Sequence, residues 1–177
     1  MDPPTLRTLV DYHYWARDRM LEAVGVLTPE PFTRDTSGSF CSIRDTCAHI
    51  YAAEWAWDSR WQGLSPTTPL AGDRFPDVAT LRLHWMEHEA RMRTFVDSLG
   101  EAGIHTVFAY TLINGQPGAT VFWQMLQHVV NHASYHRGQV TTLLRQVGAE
   151  PPKSTDLIAF YRLRVSPNAE EPARCPA

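Results

Sequence analysis

The sequence predicts an all-α fold, a four-helix bundle, and three observations carry that prediction. Four stretches, each about 20 residues or longer, repeat apolar side chains at spacings of three and four, the mark of a helix with one buried face. Only Thr106 to Ile113 is β-branched and aromatic enough for a strand, and no comparable second run follows it. The stretches are parted by segments rich in Pro, Gly and polar residues, as bundle helices are. No internal repeat or low-complexity tract is present.

In chain order, Asp2-Pro3-Pro4-Thr5 is a capped entry, after which Leu6, Leu9, His13, Ala16, Met20, Val24 and Leu27 keep helical spacing. Pro29 and Pro31 end this first helix, and the polar segment Phe32 to Phe40 reads as a loop. Ser42 with Asp45 has the shape of a capping box, Asp standing where Glu or Gln is usual. A second helix then runs to about Gln62, with Gly63 as its stop. Its apolar stripe includes Ile43, Cys47, Ile50, Trp57 and Trp61, and it carries His49 and Glu54. Ser65 to Pro76 is the longest linker. Asp77 caps a third helix with a seam of Val78, Leu81, Trp85, His88, Met92, Phe95 and Leu99, closed by Gly100 and Gly103.

Asn114-Gly115 signals a hairpin after Thr106 to Ile113, but Pro117 and Gly118 interrupt the returning arm. A short irregular hairpin is expected there, not a sheet. Val121 to Gly148 is the last bundle helix, and a short C-terminal helix, Thr155 to Arg164, follows the Pro151-Pro152 break. The expectation is one domain over residues 1–164 and a disordered tail over 165–177. Loop lengths allow simple up-down order or one crossover.

With 44% hydrophobic and 20% charged residues the chain falls among ordinary globular proteins. No run approaches the ~18 apolar residues of a membrane span, and no basic-then-apolar leader is present, so a cytoplasmic location is expected. A formal net charge of -3, with Lys and Arg scattered singly, argues against a nucleic-acid surface. Cys41, Cys47 and Cys175 form no CxxC pair and fit neither a disulfide framework nor a thiolate zinc site. Cys47 is either a reactive thiol or, as is commoner for a free cysteine, a small core residue.

The histidines are what distinguish the chain. In the last bundle helix His128, His132 and His136 recur at four-residue intervals, and residues so spaced lie on neighbouring turns of one face. His132 and His136 fall in the stripe Met125, Val129, His132, His136, Val140, Leu143, Val147, where two imidazoles buried without a partner would be costly. His128 is turned ~80° from His136, to the edge of that stripe. A pair one turn apart can chelate one ion, but a third nitrogen is required. His13, His49 and His88 all lie on core stripes of other helices, and His84 with His88 is a rival pair. Spacing does not rank them. Ala133 follows His132, so the HExxH motif is absent, and the carboxylates of a di-iron bundle are absent too. An all-imidazole set suits zinc, nickel or another late divalent metal.

The run His128-Val129-Val130-Asn131-His132-Ala133-Ser134-Tyr135-His136-Arg137-Gly138-Gln139-Val140, with Leu144-Arg145-Gln146 and Pro151-Pro152 after it, resembles the signature of the DinB/YfiT-like superfamily. Ala48-His49-Ile50 with Glu54 and Trp57 is similar to the ligand motif of its second helix. Tyr12, Trp15 and Ala16 match the aromatic, Trp-Ala pattern of its first helix, with His13 and Arg17 near places where asparagines are common. The resemblance implies a four-helix bundle, often a homodimer, with nickel or zinc held near one end by His49, His132 and His136. It further implies a metal-dependent transferase or isomerase that acts on a small-molecule substrate through a low-molecular-weight thiol such as mycothiol or bacillithiol. A hydrolase using activated water, and a noncatalytic stress-associated metal-binding bundle, are the alternatives. A DNA-binding role is not expected.

Around such a centre His128 is a candidate base. Asn131 and Gln139 are candidates to orient the ligands, while Tyr135 and Arg137 are expected to face solvent. Gly138 is expected to mark close helix packing. Glu54, ~140° around its helix from His49, is expected to lie away from the metal. The six tryptophans read as core and interface, and exposed ones on the second and third helices would suit a dimer.

Overall fold

A computed structural model of the chain describes residues 1–165. The helices are α1 (Pro3–Val24), α2 (Pro29–Thr33), α3 (Ile43–Trp61), α4 (Val78–Gly103), α5 (Phe122–Gln146) and α6 (Leu157–Val165). A two-stranded sheet of β1 (Val107–Thr111) and β2 (Pro117–Val121) lies between α4 and α5. The four long helices form the expected all-α bundle. Helix α5 packs along α3 and α1, and α4 packs along the same two. Thus α1 and α3 occupy one diagonal and α4 and α5 the other. The helices joined by the α1–α3 and α4–α5 connections are therefore diagonal to each other and not side by side. Among the described residues no helix is long and apolar enough to cross a membrane.

The helix starts follow from their caps. Asp2 accepts from Thr5 N at 2.8 Å and Asp77 from Thr80 N at 2.7 Å. Ser42 Oγ accepts from Asp45 N at 3.1 Å, and its hydroxyl donates to Asp45 Oδ2 at 2.7 Å. Helix α4 breaks where expected, at Gly100, whose φ of 58° suits glycine.

Two local expectations are corrected. Pro29 does not merely end the first helix; it opens the one-turn α2, because proline's fixed φ suits the first helical position. That turn buries Phe32. The hairpin is regular, pairing from Val107↔Val121 to Thr111↔Pro117. Pro117 is tolerated because it is the first residue of its strand, and Gly118 leaves space for the Tyr110 ring, which would have to move from a Cβ standing 2.6 Å away. Helix α6 starts at Leu157, two residues later than expected. The expected disordered tail lies, except for Val165, outside the described residues.

One carboxylate sits in the core. Glu54 on α3 is 1% exposed. Its Oε1 accepts from the Tyr14 hydroxyl at 2.5 Å, and its Oε2 accepts from Trp85 Nε1 at 2.7 Å. His13 Nε2 stands 3.0 Å from Oε2, and His88 Nε2 3.5 Å from Oε1. Burial pushes this carboxyl upward, but His13, His88 and Tyr14 outweigh that and hold it at about 2. Helices α1, α3 and α4 are thereby joined across the α1–α3 diagonal.

Glu54→Ala leaves these buried donors and imidazoles facing a hole. It is expected to lower stability by about 3–5 kcal/mol, read by urea denaturation at neutral pH. The folded carboxyl lies below its ordinary value of 4.5, so its contribution is present above that pH and is lost as pH falls toward about 2. The gap between parent and variant is expected to narrow over that window.

Candidate metal centre

Helices α3 and α5 face each other along their length, and their facing stripes bring His49 against His132 and His136. His132 Nε2 is 3.1 Å from His49 Nε2 and 3.1 Å from His136 Nε2. One nitrogen from each ring lies within 4.8 Å of the other two. Nitrogens held tetrahedrally by a zinc-sized ion at ~2.05 Å stand ~3.3 Å apart, so the spacing fits an imidazole-bound divalent ion. Of His13, His49 and His88, which spacing left open, it is His49 that converges on this pair.

The protonation states fit as well. Gln139 Oε1 accepts from His136 Nδ1 at 2.7 Å, which leaves the His136 Nε2 lone pair turned toward the other rings. Burial and then His136 push His49 down to about 4. Burial, His136, His49 and His128 do the same to His132, also to about 4. Both are neutral at neutral pH, the state a ligand needs. Phe40, from the loop before α3, stacks on His49 with centroids 4.1 Å apart and meets His136 edge-on. Nothing in the sequence marked it, because a loop aromatic has no periodicity to read. His136 is buried, whereas His49 and His132 are half-buried, so the group is open on one side.

The other candidates go elsewhere. His13 and His88 belong to the Glu54 cluster. His84 is exposed against Phe75, whereas His88 is buried and turned to Glu54 and Asp58. Among the described residues no other group of three or more His, Cys, Asp or Glu has metal-holding geometry. Glu54 lies away from the three histidines, as its angle predicted. Cys47 is buried, and burial pushes its thiol up to about 12, which makes it a core residue and not a nucleophile. His128 is exposed beside the group, its ring 5.8 Å from His132 and 5.4 Å from Trp57. Partial burial and the charge of Arg60 lower its pKa.

Two neighbours differ from expectation. Arg137 is buried and donates to Ser134 Oγ at 2.7 Å and the Tyr12 hydroxyl at 3.3 Å, so it ties α5 to α1. Gly138 packs against nothing, since a Cβ there would have no neighbour within 4 Å. It lines a groove of about 480 Å³ with Phe40, Tyr135, Gln139 and Thr142, next to the histidines. Tyr135 and Asn131 are exposed.

Because folding lowers the pKa of His49 and His132, the unfolded chain takes up protons over a range where the folded chain does not. Metal-free protein is therefore expected to lose stability as pH falls from 6.5 to about 4. Denaturation across that range should show a shallower slope in a His49→Ala, His132→Ala double variant. An equal slope would contradict the assigned neutrality.

A family model described as the DinB family matches residues 1–168 of the chain. The chain is also 26% identical over 162 residues to "Protein DinB" of Bacillus subtilis (strain 168), a match covering 86% of this chain and 92% of that protein. The matched span contains the bundle, the hairpin and all three converging histidines. The chain belongs to the DinB family.

Proposed function

We propose that His49, His132 and His136 hold a divalent ion, nickel or zinc, and that the protein is a metal-dependent transferase joining a low-molecular-weight thiol to a small-molecule electrophile. The observation that carries this reading is the convergence of three imidazole nitrogens, two on rings held neutral and the third aimed by Gln139. When bound, such an ion keeps its full charge among neutral ligands and lowers the pKa of a thiol or water that meets it.

The surrounding residues suit that task. His49 and His132 need shed no proton at neutral pH before binding. Phe40 covers one face of His49 and keeps water from that side. Gln139 holds the His136 ring, and the groove beside Gly138 has room for the body of a small molecule. His128, next to His132 and lowered in pKa, accepts the proton of the incoming thiol. The group has three protein donors with no fourth among the described residues, which supports an open site over a closed structural one. Half-exposure of His49 and His132 also admits water, so hydrolysis is the second reading.

Mass spectrometry of untagged protein purified without chelators is expected to find one equivalent of nickel or zinc, lost in His49→Ala and in His132→Ala. No metal after reconstitution would overturn the reading. His128→Ala is expected to retain the metal while thiol transfer to an activated haloarene slows by about 10²–10⁴-fold. An unchanged rate would remove His128 from the chemistry.

A further inference from the structure

We infer that Arg60, with His128 at its edge, forms an anion-binding subsite beside the three-histidine group, suited to a carboxylate on the substrate or cosubstrate. Its use in catalysis rests on the proposed function; its existence rests on the geometry of Arg60.

Arg60 lies in the last turn of α3 and is 5% exposed. A guanidinium so placed has several N–H donors to satisfy and a charge to compensate. The other buried arginines each keep one sealed nitrogen without a partner, Arg17 Nη1 and Arg137 Nε, but their remaining donors are engaged: Arg17 donates to Asp18 at 2.7 Å and Glu89 at 2.6 Å, and Arg137 donates to Ser134 and Tyr12. Arg60 finds no partner among the described residues. Asp58, two positions earlier, faces His88 Nδ1 at 3.7 Å instead. Of the three Arg60 side-chain nitrogens Nε alone is sealed; the terminal two reach solvent and are the ones a bound anion would meet. The charge rests on aromatic faces, 4.5 Å from the Trp57 centroid and 5.6 Å from that of Tyr110. Cation–π contact offsets part of the cost of burial but supplies no acceptor for the N–H groups.

The location gives the unpaired cation a use. Trp57, which carries Arg60 on its face, meets His128 edge-on at 5.4 Å, and His128 adjoins His132 at 5.8 Å. One continuous surface therefore runs from the guanidinium to the imidazole group. Tyr110 is brought to Arg60 by β1 and fixed by its 3.0 Å hydrogen bond with Thr120 Oγ1, so the regular hairpin builds one wall of the subsite. The planar fork of Arg suits the two oxygens of a carboxylate.

The test follows the arginine Nε–H resonances of metal-free protein titrated with acetate, Arg60 being assigned by loss of its signal in Arg60→Lys. A saturable shift of Arg60, with Arg17 and Arg137 unmoved, is expected. A shift that stays linear, or is shared by all three, overturns the proposal. Arg60→Met is expected to melt no lower than the parent, since it removes a guanidinium that has no hydrogen-bond acceptor. A lower melting point without any acetate response would mark Arg60 as a structural prop and also overturn it. Cobalt absorption, read separately, reports the three-histidine group: a saturable Arg60 shift without cobalt binding keeps the subsite and rejects the metal reading. In cobalt-loaded protein, thiols bearing a carboxylate are expected to bind about tenfold tighter than neutral thiol alcohols of equal length, and Arg60→Met should abolish the difference.

Discussion

A carboxylate buried to 1% exposure must be compensated, and meeting that demand orients helix α3. Glu54 takes donors from Tyr14 on α1 and Trp85 on α4, with His13 and His88 closing around it. These fixed partners leave α3 little freedom to rotate. His49, ~140° around the same helix, is consequently presented to α5, where His132 and His136 wait one turn apart. The polar core and the candidate metal centre are thus two faces of one helix, and the first sets the aim of the second. The diagonal arrangement matters here, because Glu54 must reach across the bundle to α1 while α3 packs side by side with α5.

Much of this was legible from residue spacing. The four bundle helices, the caps at Asp2, Ser42 and Asp77, the break at Gly100 and the core placement of His136 all follow from local rules. The third nitrogen did not. His13, His49 and His88 share the same kind of apolar stripe, and a buried imidazole opposite a carboxylate has the same spacing as one opposite two imidazoles. Periodicity reports burial; it does not name the partner. Only the family resemblance separated His49 from its rivals. The regular hairpin was hidden because Pro117 and Gly118 break strand propensity, and the role of Gly118 appears only when Tyr110 lies against it. Arg137 was misplaced because an arginine beside a ligand looks solvated until its contacts with Tyr12 and Ser134 are seen. Gly138 pays the helix cost of glycine beside an open groove, so tight packing does not explain it.

Around the histidines, the environment is graded. On one side Phe40 excludes water and Gln139 fixes a ring; on the other, His128 is exposed and leads over Trp57 to Arg60. Neutral imidazoles would leave an ion's charge undiminished, and an unpaired guanidinium adds further positive charge nearby. Both features would favour anionic species, in the proposed reading a thiolate at the ion and a carboxylate at the arginine. The bundle thereby carries two local costs, converging nitrogens and a guanidinium with one sealed, unpartnered N–H, at adjoining positions.

The most direct measurement is X-ray absorption spectroscopy on the zinc- or nickel-loaded protein. The expected spectrum shows three imidazole nitrogens, at ~2.0–2.1 Å for zinc, plus one or more light-atom positions that exchange with added thiol. Loss of imidazole scattering in His49→Ala would complete the assignment. A shell dominated by sulfur in the absence of added thiol, or by carboxylate oxygen, or one unaffected by loss of His49, would contradict it.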